Sequence, residues 1–158
     1  MKPRISVKAL IFRNGKVLLV KHVSPKSGFT WWAFPGGGVE EGETIFAAAE
    51  RETFEETGLT VKAVRVKFIR QLLDFKNGNN VLELFVTTSN IHGKETIENC
   101  KGKGNDDKYI KDCKFLEKNQ LIGIQIFPDS LIAKIFDPKV MRNKNIEFIG
   151  VDKTEKKY

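Results

Sequence analysis

The 158-residue chain is poor in cysteine and histidine and has no long apolar run. Its two cysteines, Cys100 and Cys113, are too few for a disulfide framework or a four-thiolate zinc site. The two histidines, His22 and His92, leave little material for a Ser-His-Asp or Cys-His catalytic centre. The apolar runs fall far short of the ~20 residues that span a bilayer, and the first residues lack a signal peptide's apolar stretch. We therefore expect a cytoplasmic protein without a membrane segment.

The glycine-rich segments do not match a phosphate-binding P-loop. No Gly-Lys-Ser/Thr follows the three glycines at 36–38, and the glycines at 102–104 lack the spacing as well. Basic runs interleaved with aromatic residues, which are typical of nucleic-acid-binding segments, are also absent. RNA stays open as a partner only because the chain is basic overall.

The charges are distributed unevenly along the chain, whose formal net charge is +7. Residues 40–59 contain seven acidic residues and one basic residue, Arg51, so this window carries −6 and the remainder +13. A compact acidic patch in a basic protein indicates cations bound at one place and anions around it.

Periodicity predicts a single domain over 1–158 that mixes strands and helices. Apolar residues alternate from Ile5, and Asn14-Gly15 predicts a hairpin into a strand over 17–20. A second hairpin is expected around 77–80, between strands near 64–68 and 81–88. The sequence thus contains two hairpin signals, one at Asn14-Gly15 and one around 77–80.

Helices and loops complete the predicted order of elements. Thr44 as N-cap and Gly58 as C-terminal stop delimit a helix over 44–57. We expect a long exposed loop over 91–107, a short strand over 109–116 and a terminal helix from about Pro128. The tail from about 147 is basic and polar, and we expect it to be flexible.

Three glutamates stand at i, i+3 and i+4 on the predicted helix: Glu52, Glu55 and Glu56. Their carboxylates project from one helical face and repel one another unless a cation intervenes. From these residues alone, a solvated acidic face and a metal site are both open interpretations. Hard oxygen ligands would favour Mg²⁺, or Mn²⁺, over zinc.

The surroundings of the cluster resemble the Nudix box, G-x5-E-x7-R-E-U-x-E-E-x-G-U, in which U is apolar. The one departure is Thr53 at the first U position, where a methyl group can still pack. The flanking segments, a strand ending near Lys21 and the approach 32–37, are also similar to the family. The matching positions are Gly37, Glu43, Arg51, Glu52, Glu55, Glu56, Gly58 and Leu59.

The resemblance implies an α/β (α+β) fold, a Nudix-like α/β/α sandwich with a mixed β-sheet between helices. Family members hydrolyse a nucleoside diphosphate linked to another group and use divalent metal. By resemblance, Glu52 and Glu56 are the main Mg²⁺ ligands, Glu55 assists, and the backbone carbonyl of Gly37 adds an oxygen. These glutamates are also the implied catalytic residues, because metal at that position would activate a water molecule.

The remaining charged positions of the box imply a structural pair and leave the general base open. Glu43 and Arg51 would pair and hold the loop against the helix. Related enzymes take the base either from the helix or from a carboxylate on a later loop. The candidate acids of the predicted long loop, each of which could equally be only solvated, are Glu95, Glu98, Asp106 and Asp107.

Four residues near the second strand are candidates for substrate binding. Trp32 and Phe34 could stack on a nucleobase, although core packing is an equal alternative. Lys21 and His22 could meet phosphate as charged donors, although a solvated strand end would look the same.

A nucleoside triphosphate is the favoured substrate, because the chain is close to a minimal domain. Phe75, sixteen residues after the box, is neither the proline of ADP-ribose hydrolases nor the tyrosine of some dinucleoside polyphosphate hydrolases. Those substrates and the 5′ end of RNA remain alternatives. A non-catalytic nucleotide-sensing module is the rival from another class. The protein is expected to be a monomer or a homodimer.

Overall fold

The computed structural model describes residues 1–154, which form nine strands and four α-helices joined by short 3₁₀ turns. The strands are β1 (Lys2–Leu10), β2 (Phe12–Arg13), β3 (Lys16–Val23), β4 (Thr30–Ala33), β5 (Thr60–Asp74), β6 (Asn79–His92), β7 (Ile110–Leu116), β8 (Ile126–Phe127) and β9 (Glu147–Thr154). The helices are α1 (Ile45–Thr57), α2 (Asn105–Tyr109), α3 (Ile132–Ile135) and α4 (Pro138–Arg142). The predicted α+β class is confirmed.

The strands form two mixed sheets. Sheet A has the order β1-β6-β5-β9, in which β5 and β6 are antiparallel while β1 and β9 run parallel to their neighbours. Sheet B has the order β2-β3-β4-β8, and β7 pairs with β3. Both sheets mix antiparallel hairpin pairings with parallel pairings between strands that are distant in the sequence.

The core joins the two sheets through large apolar side chains. Leu10, Phe68 and Phe85 of sheet A pack with Val17 and Leu19 of sheet B, and all five are buried. A second cluster lies under α1, where Ala48 and Ala49 pack on sheet A. Alternation along the strands places apolar residues on both faces of sheet A, which lets that sheet pack against the helix and the second sheet.

Helix α1 begins and ends where its capping residues predict. The Thr44 hydroxyl accepts a hydrogen bond from the Ala47 N–H (3.1 Å), and Gly58 adopts the left-handed conformation at φ 70°. A glycine there avoids the Cβ clash that other residues meet at positive φ. The helix thereby holds its register, which determines where its acidic side chains point.

Both predicted hairpins form. Asn14 and Gly15 have positive φ values of 51° and 74°, as the tight turn between β2 and β3 requires. The second hairpin is longer than predicted, since β5 and β6 pair from Thr60 to His92 around the turn at 75–78. None of the helices within residues 1–154 is long and apolar enough to cross a membrane.

Three predictions about the second half were wrong. The expected loop over 91–107 contains the end of β6, a 3₁₀ turn at Glu98–Cys100 and the start of α2. The terminal helix from Pro128 is a 3₁₀ turn followed by the four residues of α3. It ends there because Asp137 precedes Pro138, and a residue before proline disfavours the helical conformation.

The expected flexible tail instead forms β9. This strand pairs in parallel with β5, with Phe148 opposite Ile69 and Asp152 opposite Leu72. β9 lies at the edge of sheet A, where Phe148, Val151 and Asp152 are exposed and Ile149 packs against the core cluster. The last residues of the predicted tail, 155–158, lie outside the described part of the chain.

Candidate metal centre and substrate cleft

The last turns of α1 carry two buried carboxylates beside the glycine segment. Glu52 and Glu56 are 9% and 5% exposed. One oxygen of Glu56 accepts a hydrogen bond from the Gly36 N–H at 2.9 Å. A Cβ on Gly36 would overlap the Val7 carbonyl, and its φ of +145° also favours glycine. The glycine therefore lets the loop run closely between β1 and the helix.

Gly37 lies directly against the carboxylate of Glu52. A Cβ at this position would stand 2.6 Å from the Glu52 carboxyl carbon. The Gly37 carbonyl accepts hydrogen bonds from the Val7 N–H (2.9 Å) and the Ser6 hydroxyl (3.0 Å). The Gly37 carbonyl oxygen thus accepts two hydrogen bonds from β1, while the α-carbon of the same residue lies against the carboxylate of Glu52.

Arg51 ties the box loop to the helix. Its guanidinium donates to both oxygens of Glu43 (2.8 and 3.0 Å) and to the Gly38 carbonyl (3.1 Å). It also contacts Glu52 (2.9 Å) and Glu55 (3.3 Å). The hydrogen bonds from Arg51 lower the pKa of Glu43, so this ion pair is formed at neutral pH.

A carboxylate from outside the helix completes an oxygen cluster. Oxygen atoms of Glu52, Glu55 and Asp106 all lie within 4.8 Å of one another. All three residues are half-buried or buried, and every donor atom is a hard carboxylate oxygen. This donor set fits Mg²⁺ or Mn²⁺ and does not resemble the nitrogen and sulfur sets typical of zinc.

Contacts at the end of α1 bring Asp106 to the cluster. The Asn99 side chain donates to the Phe54 carbonyl (2.9 Å), and the Cys100 thiol lies 3.5 Å from the Glu55 carbonyl. These contacts fix the segment before α2 against the helix. The cysteine is buried and its pKa is raised to about 12, so it packs as an apolar thiol.

The other loop acids of the sequence prediction lie in different contacts. Glu95 faces Arg13 at 3.7 Å, and Glu98 pairs with Lys101 at 2.6 Å. Asp107 shares α2 with Asp106 but is not a member of the oxygen cluster among the described residues. Of the four candidates, the structure brings Asp106 to the helix glutamates.

Burial raises the pKa of each inward carboxyl of this centre. Desolvation raises the pKa values of Glu52 and Asp106, and it raises that of Glu56 to about 8. The ammonium of Lys8 opposes the shift at all three, because a nearby cation favours the ionised form. A bound divalent cation would act in the same direction and more strongly.

Lys8 connects this centre to a cleft and was missed in the sequence. Its Nζ donates to the Gly36 carbonyl at 2.8 Å, and its side chain lines a cavity of about 650 Å³. A lysine between the buried residues Val7 and Ala9 of a strand is the signal that could have identified it. A charged side chain on such a strand needs a polar partner.

Strands of both sheets line the cleft. Sheet A contributes charged residues and sheet B contributes aromatic ones together with Ala33. The charged residues of sheet A are Lys8, Arg70, Asp74, Glu83, Asp152 and Lys153, and the rings of sheet B belong to His22, Trp31 and Phe127. Backbone pairing of His22 with Trp31, and of Ala33 with Phe127, places these residues of sheet B side by side.

His22 is the one predicted substrate residue that lines the cleft. Its ring stacks on Trp31 at 5.1 Å, and Nδ1 lies 3.2 Å from the Val20 carbonyl. Burial, together with Lys8, lowers its pKa to about 4, so the ring is neutral at pH 7. A neutral ring that donates from Nδ1 presents Nε2 as an acceptor, which differs from the charged phosphate donor anticipated from the sequence.

The other three predicted contacts lie elsewhere. Phe34 is 1% exposed and packs edge-to-face on Phe85 in the core. Trp32 is partly buried against the same core cluster. Lys21 pairs through its backbone with β4 and β7, and it does not line the cleft. Trp31, which precedes Trp32 and faces the other side of β4, takes the position in the cleft.

Sequence relatives carry two different descriptions. The chain is 41% identical over 71 residues to an RNA pyrophosphohydrolase of Actinobacillus succinogenes, across 45% of this chain and 34% of that protein. It is 31% identical over 122 residues to an ADP-ribose pyrophosphatase of Methanocaldococcus jannaschii, across 77% of this chain and 66% of that protein. The chain thus spans about a third of the matched RNA pyrophosphohydrolase.

Solved structures and a family model agree on the architecture. The solution structure of the E. coli ORF135 protein superposes with a TM-score of 0.69 at 21% identity, covering 92% of this chain and 96% of that one. The MutT NUDIX hydrolase of Burkholderia pseudomallei gives 0.64 at 23%, covering 79% and 91%. The NUDIX domain model matches residues 2–137. With the box geometry and this match over most of its length, the chain belongs to the Nudix family.

Proposed function

We propose that the protein is a divalent-metal-dependent pyrophosphohydrolase that cleaves a phosphoanhydride bond of a nucleoside triphosphate and yields the monophosphate and pyrophosphate. One observation carries the proposal: Lys8 links the oxygen cluster of Glu52, Glu55 and Asp106, on whose carboxyls it acts electrostatically, to a cleft with aromatic side chains that it lines. The cluster suits cations that hold phosphates, and the rings suit a nucleobase. Lys8 lies between the two parts.

The metal would be held by the helix carboxylates and by Asp106. Glu52, Glu55 and Asp106 offer converging oxygens. Glu56 lies on the same helix, and Gly37 lies against the Glu52 carboxylate. When bound there, Mg²⁺ or Mn²⁺ would supply neutralisation of phosphate oxygens and a more acidic water molecule. Arg51, engaged with Glu43 and Glu52, keeps the carboxylates in place.

Residues of the chain would then accept the proton of the attacking water and offset the negative charge of the substrate. A carboxylate with a raised pKa accepts a proton from the attacking water more readily near neutral pH. Burial raises the pKa of Glu56, which can act as the base once a bound cation keeps it ionised, and Asp106 is the corresponding candidate from outside the helix. The Lys8 ammonium, held by the Gly36 carbonyl, offsets negative charge on the departing phosphate group.

The cleft's balance of charge favours a mononucleotide. Its lining includes four basic and four acidic residues, and His22 is neutral. A site without excess positive charge suits an uncharged nucleoside better than a further run of phosphodiesters. The basic chain and the names of the relatives make the 5′ end of RNA the second candidate, and ADP-ribose the third.

The test is chromatographic identification of the products formed from a panel of nucleoside triphosphates, 5′-triphosphate RNA, ADP-ribose and dinucleoside polyphosphates, with and without Mg²⁺, together with release of pyrophosphate from the triphosphates. We expect Glu56→Gln to lower turnover about 10³-fold. Glu50→Gln is the matched control: Glu50 lies on the same helix and accepts from the Ala63 N–H (2.9 Å), a contact that glutamine keeps.

The panel also separates the alternatives. Preference for RNA or ADP-ribose over every triphosphate would replace the proposed substrate. Metal-dependent nucleotide binding without turnover of any compound would indicate a sensing module instead of an enzyme. Equal loss in both glutamine variants would contradict the assigned role of Glu56.

A further inference from the structure

Strand β9 contributes to the cleft although it lies outside the part of the chain that matches the family. The family match ends at residue 137, whereas β9 covers Glu147–Thr154. Asp152, Lys153 and Thr154 line the cleft, and Thr154 donates to Asp74 at 3.0 Å. This segment therefore adds features to the cleft that the family match does not include.

Arg70 joins β9 to the middle of sheet A. Its side chain is 9% exposed, and its Nε and one terminal nitrogen donate to the same oxygen of Glu83. The other terminal nitrogen donates to Asp152 Oδ2 at 2.6 Å. With each nitrogen bound to a carboxylate, Arg70 serves to hold these two acids in position.

The arrangement leaves acceptor oxygens in the cleft. The contacts of Asp152 use Oδ2, and within residues 1–154 the other oxygen, Oδ1, has no hydrogen-bond partner. The Asp152 side chain is 54% exposed, so a ligand can reach it. Glu83 likewise uses one oxygen for Arg70. A fixed carboxylate with a free oxygen selects groups that donate hydrogen bonds.

We propose that Asp152, held by Arg70, is a specificity-determining residue that accepts a hydrogen bond from the nucleoside part of the substrate. The inference rests on the proposed function for its substrate class. The donor is a neutral group, either a sugar hydroxyl or an amino or imino group of the base. Phosphate oxygens are excluded, because they would meet a carboxylate of like charge.

Two variants of Asp152 remove the accepting oxygen in different ways. Asp152→Asn can keep an oxygen toward Arg70 and presents an amide N–H₂ in place of the free oxygen, which reverses the polarity of the contact. Asp152→Ala removes the group. Val151→Ser is the matched control on the same strand, because Val151 is 45% exposed and does not line the cleft.

The measurement is kcat/KM for the wild type and the three variants on two sets of substrates. Ribonucleotides against 2′- and 3′-deoxynucleotides test a sugar donor. GTP against ITP and CTP against UTP test a donor on the base. We expect both Asp152 variants to lower kcat/KM for the donor-bearing substrate about 10- to 100-fold, mainly through KM, and to remove the preference in one set.

The ratio of preferences keeps the inference separate from a general loss of activity. An unchanged ratio in both sets, with thermal melting of the variants near that of wild type, would overturn it. So would an equal effect of Val151→Ser. If the wild type hydrolyses no nucleotide, the proposed function fails, and binding of α,β-methylene nucleotides, followed by tryptophan fluorescence, then tests Asp152. Unchanged selectivity of binding would again overturn it.

Discussion

The candidate metal centre and the adjoining cleft differ in how the chain assembles them. Three carboxylates of the centre come from five consecutive residues of one helix. The cleft takes side chains from seven strands of two sheets, between Lys8 and Thr154. A local site depends on helical register and on one close contact of the backbone. A distributed cleft depends on sheet registers, on bulges and on a strand near the end of the chain.

The largest expected effect tests how closely the local site is fitted. Gly37→Ala places a Cβ about 2.6 Å from the Glu52 carboxyl carbon, so the carboxylate must move away. We expect turnover to fall about 10²- to 10³-fold and the midpoint for Mg²⁺ to rise. Gly38→Ala is the control, since its Cβ would meet only the end of the Arg4 side chain at 3.3 Å. Similar activities in the two variants would contradict the close fit.

The second prediction concerns His22 in the cleft, whose burial makes the stability of the protein depend on pH. Burial holds the pKa of His22 at about 4, against 6.5 in the unfolded chain. Between these values the unfolded chain binds a proton that the folded protein does not bind. The free energy of unfolding therefore falls as pH falls from 7 to 4, by up to about 3 kcal/mol. Denaturation of His22→Phe should show a weaker dependence, whereas His92→Gln at the exposed end of β6 should match wild type.

Asp106 is the point at which the local site depends on distant structure. Asp106→Asn removes one of the three clustered carboxylates, and we expect turnover to fall about 10- to 100-fold. The control is Glu98→Gln, because Glu98 pairs with Lys101 on the surface. Equal activities of both variants and wild type would show that the helix glutamates suffice. The pH profile of turnover would then reveal whether the base lies on α1.

The smallest effect concerns the cap of α1. Thr44→Ala removes the hydrogen bond to the Ala47 N–H, and we expect a loss of about 1 kcal/mol in stability with turnover near that of wild type. Thr44→Ser keeps a hydroxyl and should retain the stability. Loss of turnover without loss of stability in the alanine variant would show that the cap positions the glutamates directly.

Elements determined by neighbouring residues were predicted well. The bounds of α1 and the turn at Asn14-Gly15 follow from caps and backbone preferences that act within a few residues. The short helix α2 and strand β9 were missed. Helix α2 is short and polar. Strand β9 contains Phe148, Ile149 and Val151, and it is held by pairing with β5 and by the contact of Arg70 with Asp152.

The candidate site shows the same difference between features set by neighbouring residues and features set by distant contacts. Trp31 and Trp32 are adjacent in sequence, so strand alternation places their side chains on opposite faces of β4. The alternation does not predict which of the two faces the cleft. The neutrality of His22 depends on its burial and on Lys8, fourteen residues earlier. No pattern along the chain encodes either fact, because both arise from packing between strands.

The sequence by itself determined the acidic helix, its caps and the spacing of Glu52, Glu55 and Glu56, since helical geometry converts that spacing into one face. Only the tertiary structure decided that Asp106 joins these acids, that Lys8 lies beside them and that β9 lines the cleft. The physical reason is that such neighbours are brought together by sheet pairing and loop anchoring across many residues, which local preferences do not specify.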